Sequence, residues 1–126
     1  MNKEIITAAN APAALGPYSH ANAGGGMVFV SGQIGIDPAS GKLADGVEAQ
    51  AEQALKNLEA ILGSAGSDMA HVVKTTVFVL DMGQFANVNR IYAEHFKEGF
   101  PARSCIQVGA LPGGALVEVE AIALRI

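Results

Sequence analysis

The C-terminal stretch FPARSCIQVGALPGGALVEVEAIALRI, residues 100–126, is apolar enough to be buried, yet it carries Arg103, Cys105, Glu118 and Glu120. An arginine keeps its charge in any protein environment and offers a planar fork of donors that fits a carboxylate through two parallel hydrogen bonds. Arg103 opens a strand just after Pro101, which fixes the backbone before it. It is read either as a solvated strand-end charge or as a clamp for a small anion. Glu118 and Glu120 lie two apart, hence on one face of a strand, where they repel each other unless something compensates. Solvent, Lys74 or Arg125 could do so. Otherwise one of them holds a water or moves a proton in a pocket, its pKa raised by burial. Cys105 points to the same side of its strand as Arg103. A thiolate nucleophile would need a histidine or a helix N-terminus beside it. His20, His71 and His95 are scattered through the chain, so Cys105 reads as a small buried hydrophobe whose backbone is free to serve a ligand.

Other polar residues sit at turns and strand ends. GPYSHA places Tyr18 in a turn, and VSGQ places Ser31 at a strand end beside Gly32, where a backbone or ligand can approach closely. Each is unremarkable alone and better explained by a structural role. The histidines show no HxH or HxxxH spacing and the single cysteine has no pair, so no metal site is expected. The GGGM run lacks the Lys-Ser/Thr of a phosphate-binding loop. No cofactor is expected from any motif.

These residues must be positioned by a mixture of helices and strands. Apolar residues at Val47, Ala51, Ala54, Leu55, Leu58, Ile61 and Leu62 mark one face of a helix. Asp45 with Glu48 resembles a capping box at its start, and Gly63 is a plausible stop. A second helix is expected from about Met82 to Lys97, with Asp81 and Gln84 repeating the capping pattern. Phe85, Val88, Tyr92 and Phe96 form its buried stripe, Asn89 flanks that stripe, and Arg90, Glu94 and Lys97 face out. Strands are expected at KEIIT, MVFVSGQIGI, HVVKTTVFVL, SCIQVGAL and ALVEVEAIALRI, with a further short strand possible. AGGGM reads as a turn and Ile36–Gly46 as a loop. The order β-β-α-β-α-β-β implies an α/β sandwich with right-handed crossovers. Alternation puts Val73, Thr75, Val77 and Val79 on one face of their strand and Lys74, Thr76, Phe78 and Leu80 on the other. It likewise separates Val117, Val119, Ala121 and Ala123 from Leu116, Glu118, Glu120, Ile122 and Leu124. Both faces are apolar, and two helices cover only one, so the other is expected to pack in a homo-oligomer.

The chain's 126 residues suit one domain spanning 1–126. Half of them are hydrophobic and only 16% are charged, dry for a small monomer and in keeping with an oligomer. The net charge of −4 and the single, scattered Lys and Arg argue against a nucleic-acid footprint or attraction to an anionic membrane. The first residues, MNKEIITAAN, lack the apolar core of a signal peptide, and no apolar run is long enough to span a bilayer, so a cytoplasmic location is expected.

Taken together, GPYSHA, FVSGQIGIDPASGKL, VVKTTVFVLDMGQFANVNRIY and FPARSCIQVGALPGGALVEVEAIA resemble the RidA-type reactive-intermediate deaminases, the YjgF family, in order and over nearly the whole chain. The resemblance implies an α+β, chorismate-mutase-like fold with a mixed sheet, two helices on one face, and a homotrimer with active sites in inter-subunit clefts. It implies hydrolysis of 2-aminoacrylate and its tautomer 2-iminopropanoate, made by pyridoxal-phosphate enzymes from serine or threonine, to a 2-keto acid and ammonia, without cofactor or metal. By the same resemblance Arg103 grips the substrate carboxylate and Glu118 holds the attacking water. Tyr18, Ser31 and Asn89 are pocket residues, Cys105 supplies backbone contacts, Gly32 and Phe85 line the cleft, and Glu120 is structural. The compact HFKEGF loop and the uncharged LPGGALVEV turn depart from some relatives and bear on cleft width. A ligand-binding regulatory trimer, or an endoribonuclease or translation inhibitor, are the alternative functions, the last disfavoured by the acidic composition and the lack of a His acid–base pair.

Overall fold

The last strand of the chain lies inside the sheet, between its third and fourth strands. A computed structural model describes residues 2–126. Its elements are β1 (Glu4–Ile6), β2 (Ala21–Gly24), β3 (Met27–Ile34), α1 (Val47–Ser64), β4 (Val72–Val79), α2 (Phe85–His95), β5 (Ala102–Gln107) and β6 (Val117–Leu124). The six strands form one mixed sheet in the order β1-β2-β3-β6-β4-β5. Only β4 and β5 run parallel, with α2 as the connection between them; the other neighbours are antiparallel. β2 is the extra short strand left open by the sequence. It pairs with β3 through a two-residue turn at Gly25 and Gly26, whose φ values of 61° and 78° are the left-handed conformations a tight hairpin turn demands. Among the described residues no helix is long and apolar enough to cross a membrane.

Both helices pack on one face. There Ala51, Leu55, Leu58, Ile61 and Leu62 of α1 and Val88 and Tyr92 of α2 meet Val28, Val30, Val77, Val79, Val117, Val119, Ala121 and Ala123 from the strands. The other face is uncovered by the chain and exposes Ile5, Phe29, Ile106 and Leu124. The strand alternation assigned above holds for β6 throughout. It fails at one point in β4, where Val73 is exposed although Val72, Thr75, Val77 and Val79 are buried. Val72 pairs with Ala123 but Lys74 with Ile122, so one extra residue is accommodated in a bulge and the side-chain alternation shifts there.

The helix ends also depart from expectation. No Asp45–Glu48 capping box forms; Gly46 is the N-cap, with φ 87° and no side-chain cap. The helix passes through Gly63 and ends at Ser64. Gly66 at φ 75° is the left-handed residue, Gly66 N donates to Gly63 O (3.2 Å) and Ser67 N to Leu62 O (2.9 Å), the paired bonds of a Schellman stop. The second helix is preceded by a tight 3-10 turn, Met82–Gln84. Asp81 caps that turn through Gly83 N at 2.8 Å, while Gln84 accepts from Asn87 instead of returning to Asp81. Val88, Tyr92 and Phe96 are buried as the stripe predicts, whereas Phe85 is 38% exposed.

Two polar side chains of α1 hold the segments that lead into and out of the site. Asn57, 1% exposed, donates to the carbonyls of Ile34 (3.1 Å) and Ile36 (2.9 Å) and accepts from Gln53 (2.9 Å). Gln50 donates to Ala44 O and accepts from Leu116 N. The chain passes so close at Gly35 that a Cβ there would lie 2.5 Å from Gln50 Cα. Replacing Asn57 by Leu keeps the number of side-chain heavy atoms but removes both donated bonds; Ile34 O retains Ile36 N, whereas Ile36 O and the Gln53 amide lose this partner, at ~1–3 kcal/mol for a buried group left unpaired. The N57L variant is therefore expected to unfold at clearly lower urea concentration than wild type at equal protein concentration. An unchanged midpoint would contradict this role.

Candidate active site

Arg103 lies on β5 in register with Thr75 of β4, so it shares the face that Thr75 shares with α2. Three residues of α2, spaced to one side of the helix, surround it. Asn89 Oδ1 accepts from Arg103 Nη1 at 2.7 Å. The guanidinium carbon lies 4.9 Å from the Tyr92 ring centroid and 5.4 Å from that of Phe85, within the range of cation–π attraction. Tyr92 is itself fixed, its hydroxyl 2.6 Å from Thr75 Oγ1 in the core. Among the described residues Arg103 takes part in no ion pair. Its charge is held by a neutral acceptor and two ring faces, leaving donors for an anion beside a cavity of about 340 Å³ lined also by Phe100 and Pro101. Cys105, on the same side, is half-buried against the core. Burial pushes its thiol pKa up, and the nearby Arg103 charge opposes this only in part. The sulfur is thus a neutral thiol, as its reading as a small hydrophobe requires.

Glu118 lies on β6 between the inward-facing Val117 and Val119, and so on the uncovered face. Its carboxylate sits against Gly32. A Cβ at that glycine would fall 2.8 Å from Glu118 Cδ and Oε2, so only glycine leaves the carboxylate where it is. Gly32 and Ser31 occupy a bulge, since β3 advances from Val30 to Gln33 while β6 moves only from Ala121 to Val119. Ser31 Oγ donates to Ser19 O (2.6 Å) and Ser31 N to His20 O (3.0 Å), which brings the segment carrying Tyr18 alongside. Tyr18 Oη accepts from Leu15 N at 3.0 Å. Leu15, Pro17, Tyr18, Ser31, Gly32 and Glu118 line a groove of about 530 Å³. Burial is the main cause, and the Glu120 charge the lesser one, of a Glu118 pKa raised above the usual carboxylate value. Neither of the cations considered from sequence neutralises this pair. Arg125 is bidentate to Glu4, and Lys74 Nζ donates to Ser104 Oγ.

The eight residues singled out from sequence thus form two groups. Arg103, Asn89, Phe85 and Cys105 lie under α2, and Tyr18, Ser31, Gly32 and Glu118 lie on the opposite side of the sheet. Within one chain the arginine clamp and the carboxylate lie apart, because β5 and β6 turn these two side chains to opposite faces. Sequence reasoning took Tyr92 only as core. Its place three residues after Asn89 and seven after Phe85, on the same helical face, was the available signal for its contact with Arg103. Leu15, Pro17 and Phe100 carried no such signal.

A model of a family described as endoribonuclease L-PSP matches residues 8–125. A 2-iminobutanoate/2-iminopropanoate deaminase of Homo sapiens is 49% identical over 124 residues, covering 98% of this chain and 90% of that protein. One of Salmonella typhimurium is 50% identical over 128 residues, covering 99% of each. Among solved structures, the YjgF gene product of E. coli superposes with a TM-score of 0.92 at 45% identity over 98% of this chain and 99% of that one. E. coli TdcF with bound serine gives 0.92 at 41% identity with the same coverage.

Because burial and Glu120 both disfavour its charged form, the Glu118 carboxyl is expected to keep its proton to higher pH than the exposed glutamates. Glu120→Gln should lower its titration point without restoring the ordinary value, burial being the larger cause. Carbon-detected NMR of the side-chain carboxyls follows both. A Glu118 that titrates with the exposed glutamates would contradict the burial of its carboxylate.

Proposed function

Because the chain belongs to the endoribonuclease L-PSP family, that of the RidA and YjgF proteins, we propose that it is a 2-iminobutanoate/2-iminopropanoate deaminase, hydrolysing enamine and imine intermediates to 2-keto acids and ammonia. The observation that carries this reading is Arg103, a charged fork held by Asn89 and ring faces, without an acidic partner among the described residues, beside a small cavity. A 2-imino acid offers what such a fork binds, a carboxylate next to the reacting carbon.

On this reading the protein is a homotrimer in which the uncovered sheet face is buried, and the Arg103 group of one copy meets the Glu118 group of the next. Arg103 takes the carboxylate through two charge-assisted hydrogen bonds. The enamine 2-aminoacrylate is first protonated at its terminal carbon to give the iminium form of 2-iminopropanoate. A water hydrogen-bonded to Glu118 adds its oxygen to the iminium carbon, and Glu118 accepts the proton released. The resulting carbinolamine takes that proton on nitrogen, the C–N bond breaks to release ammonia, and the hydroxyl gives its proton to Glu118 as the C=O bond of the keto acid forms, which offsets the solvent proton taken up at carbon in the first step. The pKa of Glu118, raised by burial and by the Glu120 charge, suits a group that must take up and return a proton. Water adjacent to a fixed carboxylate and a fixed carbon gains mainly in orientation, which is enough for an imine that hydrolyses unaided. The lone Cys105 needs no oxidising compartment, in keeping with a cytoplasmic setting.

The endoribonuclease reading has less support. RNA binding needs clustered basic side chains, but the net charge is −4, and Arg90, Arg125 and Lys56 are each paired with a glutamate.

The test generates 2-aminoacrylate in situ from serine with a dehydratase and follows its decay to pyruvate. Wild type is expected to accelerate the decay. Arg103→Ala, which loses two charge-assisted bonds, should lower kcat/KM by about 10²–10⁴-fold. Folded, oligomeric wild type that leaves the rate at background would overturn the proposal.

A further inference from the structure

Residues 7–20 join β1 to β2 without helix or strand. The residues that flank this segment, Ile6 and Ala21, pair with each other, so it is a closed loop of the Ω kind, a class often tied to function. Its base is inside, with Ala8, Ala11 and His20 buried, and its tip is outside, with Leu15 62% and Tyr18 45% exposed. That tip, from Leu15 to Tyr18, is one wall of the groove that holds Glu118. β1 has only three residues, so its short ladder does little to fix the loop.

His20 does so instead. Its Nδ1 accepts from Ala8 N at 3.0 Å, and its Nε2 lies 2.7 Å from Pro12 O. A ring nitrogen that accepts a backbone N–H carries no proton, and one facing a carbonyl must carry it, so these two partners select the neutral Nε2–H tautomer. The same residue's carbonyl accepts Ser31 N, beside the glycine against which Glu118 rests. One imidazole therefore ties the start and middle of the loop to its end, at the strand position next to the carboxylate.

We propose that His20 is a positioning residue for the imine hydrolysis. It pins the loop so that Leu15–Tyr18 face Glu118 and fix the space in which the water and the reacting carbon meet. The inference rests on the deaminase reading. Because Arg103 lies on the other sheet face, losing the latch should lower kcat more than it raises KM.

A glutamine amide can present an acceptor and a donor much as the two ring nitrogens do, so His20→Gln and His20→Ala separate the latch from the mere filling of space. With 2-aminoacrylate as substrate, H20A is expected to lose about tenfold or more in kcat/KM, since a shift near 1 Å at a reacting group costs up to ~10²-fold. H20Q should stay within about threefold of wild type, on the same scale of positional tolerance. Deuterium uptake over residues 7–20 should rise in H20A but not in H20Q, with uptake over α2 unchanged in both. H20A with wild-type rate and an active wild type would overturn the latch alone. So would H20Q falling as far as H20A, or unchanged uptake over 7–20 in H20A. An inactive wild type would overturn the deaminase reading, and this role with it.

Discussion

A pleated strand sends successive side chains to opposite faces, and that alternation decides where every reactive group of this chain goes. Thr75, in the core, sets the face of β4. Arg103, its parallel neighbour, must share it and lies under α2. Val117 and Val119 set the buried face of β6, so Glu118 and Glu120 must look the other way. With two helices on one side only, the chain sets its arginine group against α2 and leaves its carboxylate group on a face that its own elements do not cover. The proposed deaminase follows from this division, because the clamp and the water-holding carboxylate can cooperate only when the face of one copy meets the edge of another.

The electrostatics keep both halves ready. An arginine paired directly with a glutamate would have its charge neutralised, and a substrate would have to break a partly buried pair, which is costly. Instead Arg103 rests on Asn89 and on the faces of Tyr92 and Phe85, groups that hold a cation without cancelling it. Glu118 is flanked by Glu120 and packed on Gly32, which raises its affinity for a proton instead of lowering it. A fork that remains cationic and a carboxyl group poised to trade a proton are what attack by water on an anionic imine requires.

Much of this was legible in the residues. The helical stripe from Val47 to Leu62, the stripe through Val88, Tyr92 and Phe96, and the alternation of VEVEAIAL were strong periodic signals, and the structure follows them. What was missed depended on single dihedrals or on unpatterned contacts. Asp45 stood one residue too early to cap α1, and the stop came at Gly66 instead of Gly63 because only one of the two adopts a left-handed φ. The bulge at Val73 leaves no trace in hydrophobicity, since valine is written on both faces. No local pattern marked Asn57 and Gln50, because the carbonyls of Ile34 and Ile36 and the N–H of Leu116 that they serve are distant in sequence. The separation of Arg103 from Glu118 was hidden for a similar reason: alternation relates residues within a strand, whereas the face of one strand relative to another depends on a strand order that no local pattern records. The family resemblance singled out Glu118 from Glu120 where spacing could not, and the contact with Gly32 gives a physical basis for that choice.

The most direct measurement mixes two variants, Arg103→Ala and Glu118→Gln, each inactive alone, and lets their subunits exchange. If each site takes its arginine from one copy and its glutamate from the next, random mixing in equal parts leaves about a quarter of the sites intact in a cyclic trimer. The 2-aminoacrylate activity should then recover to about a quarter of wild type, by the same count of intact interfaces. Activity that stays at the background of the separate variants after exchange is complete would contradict a site shared between copies.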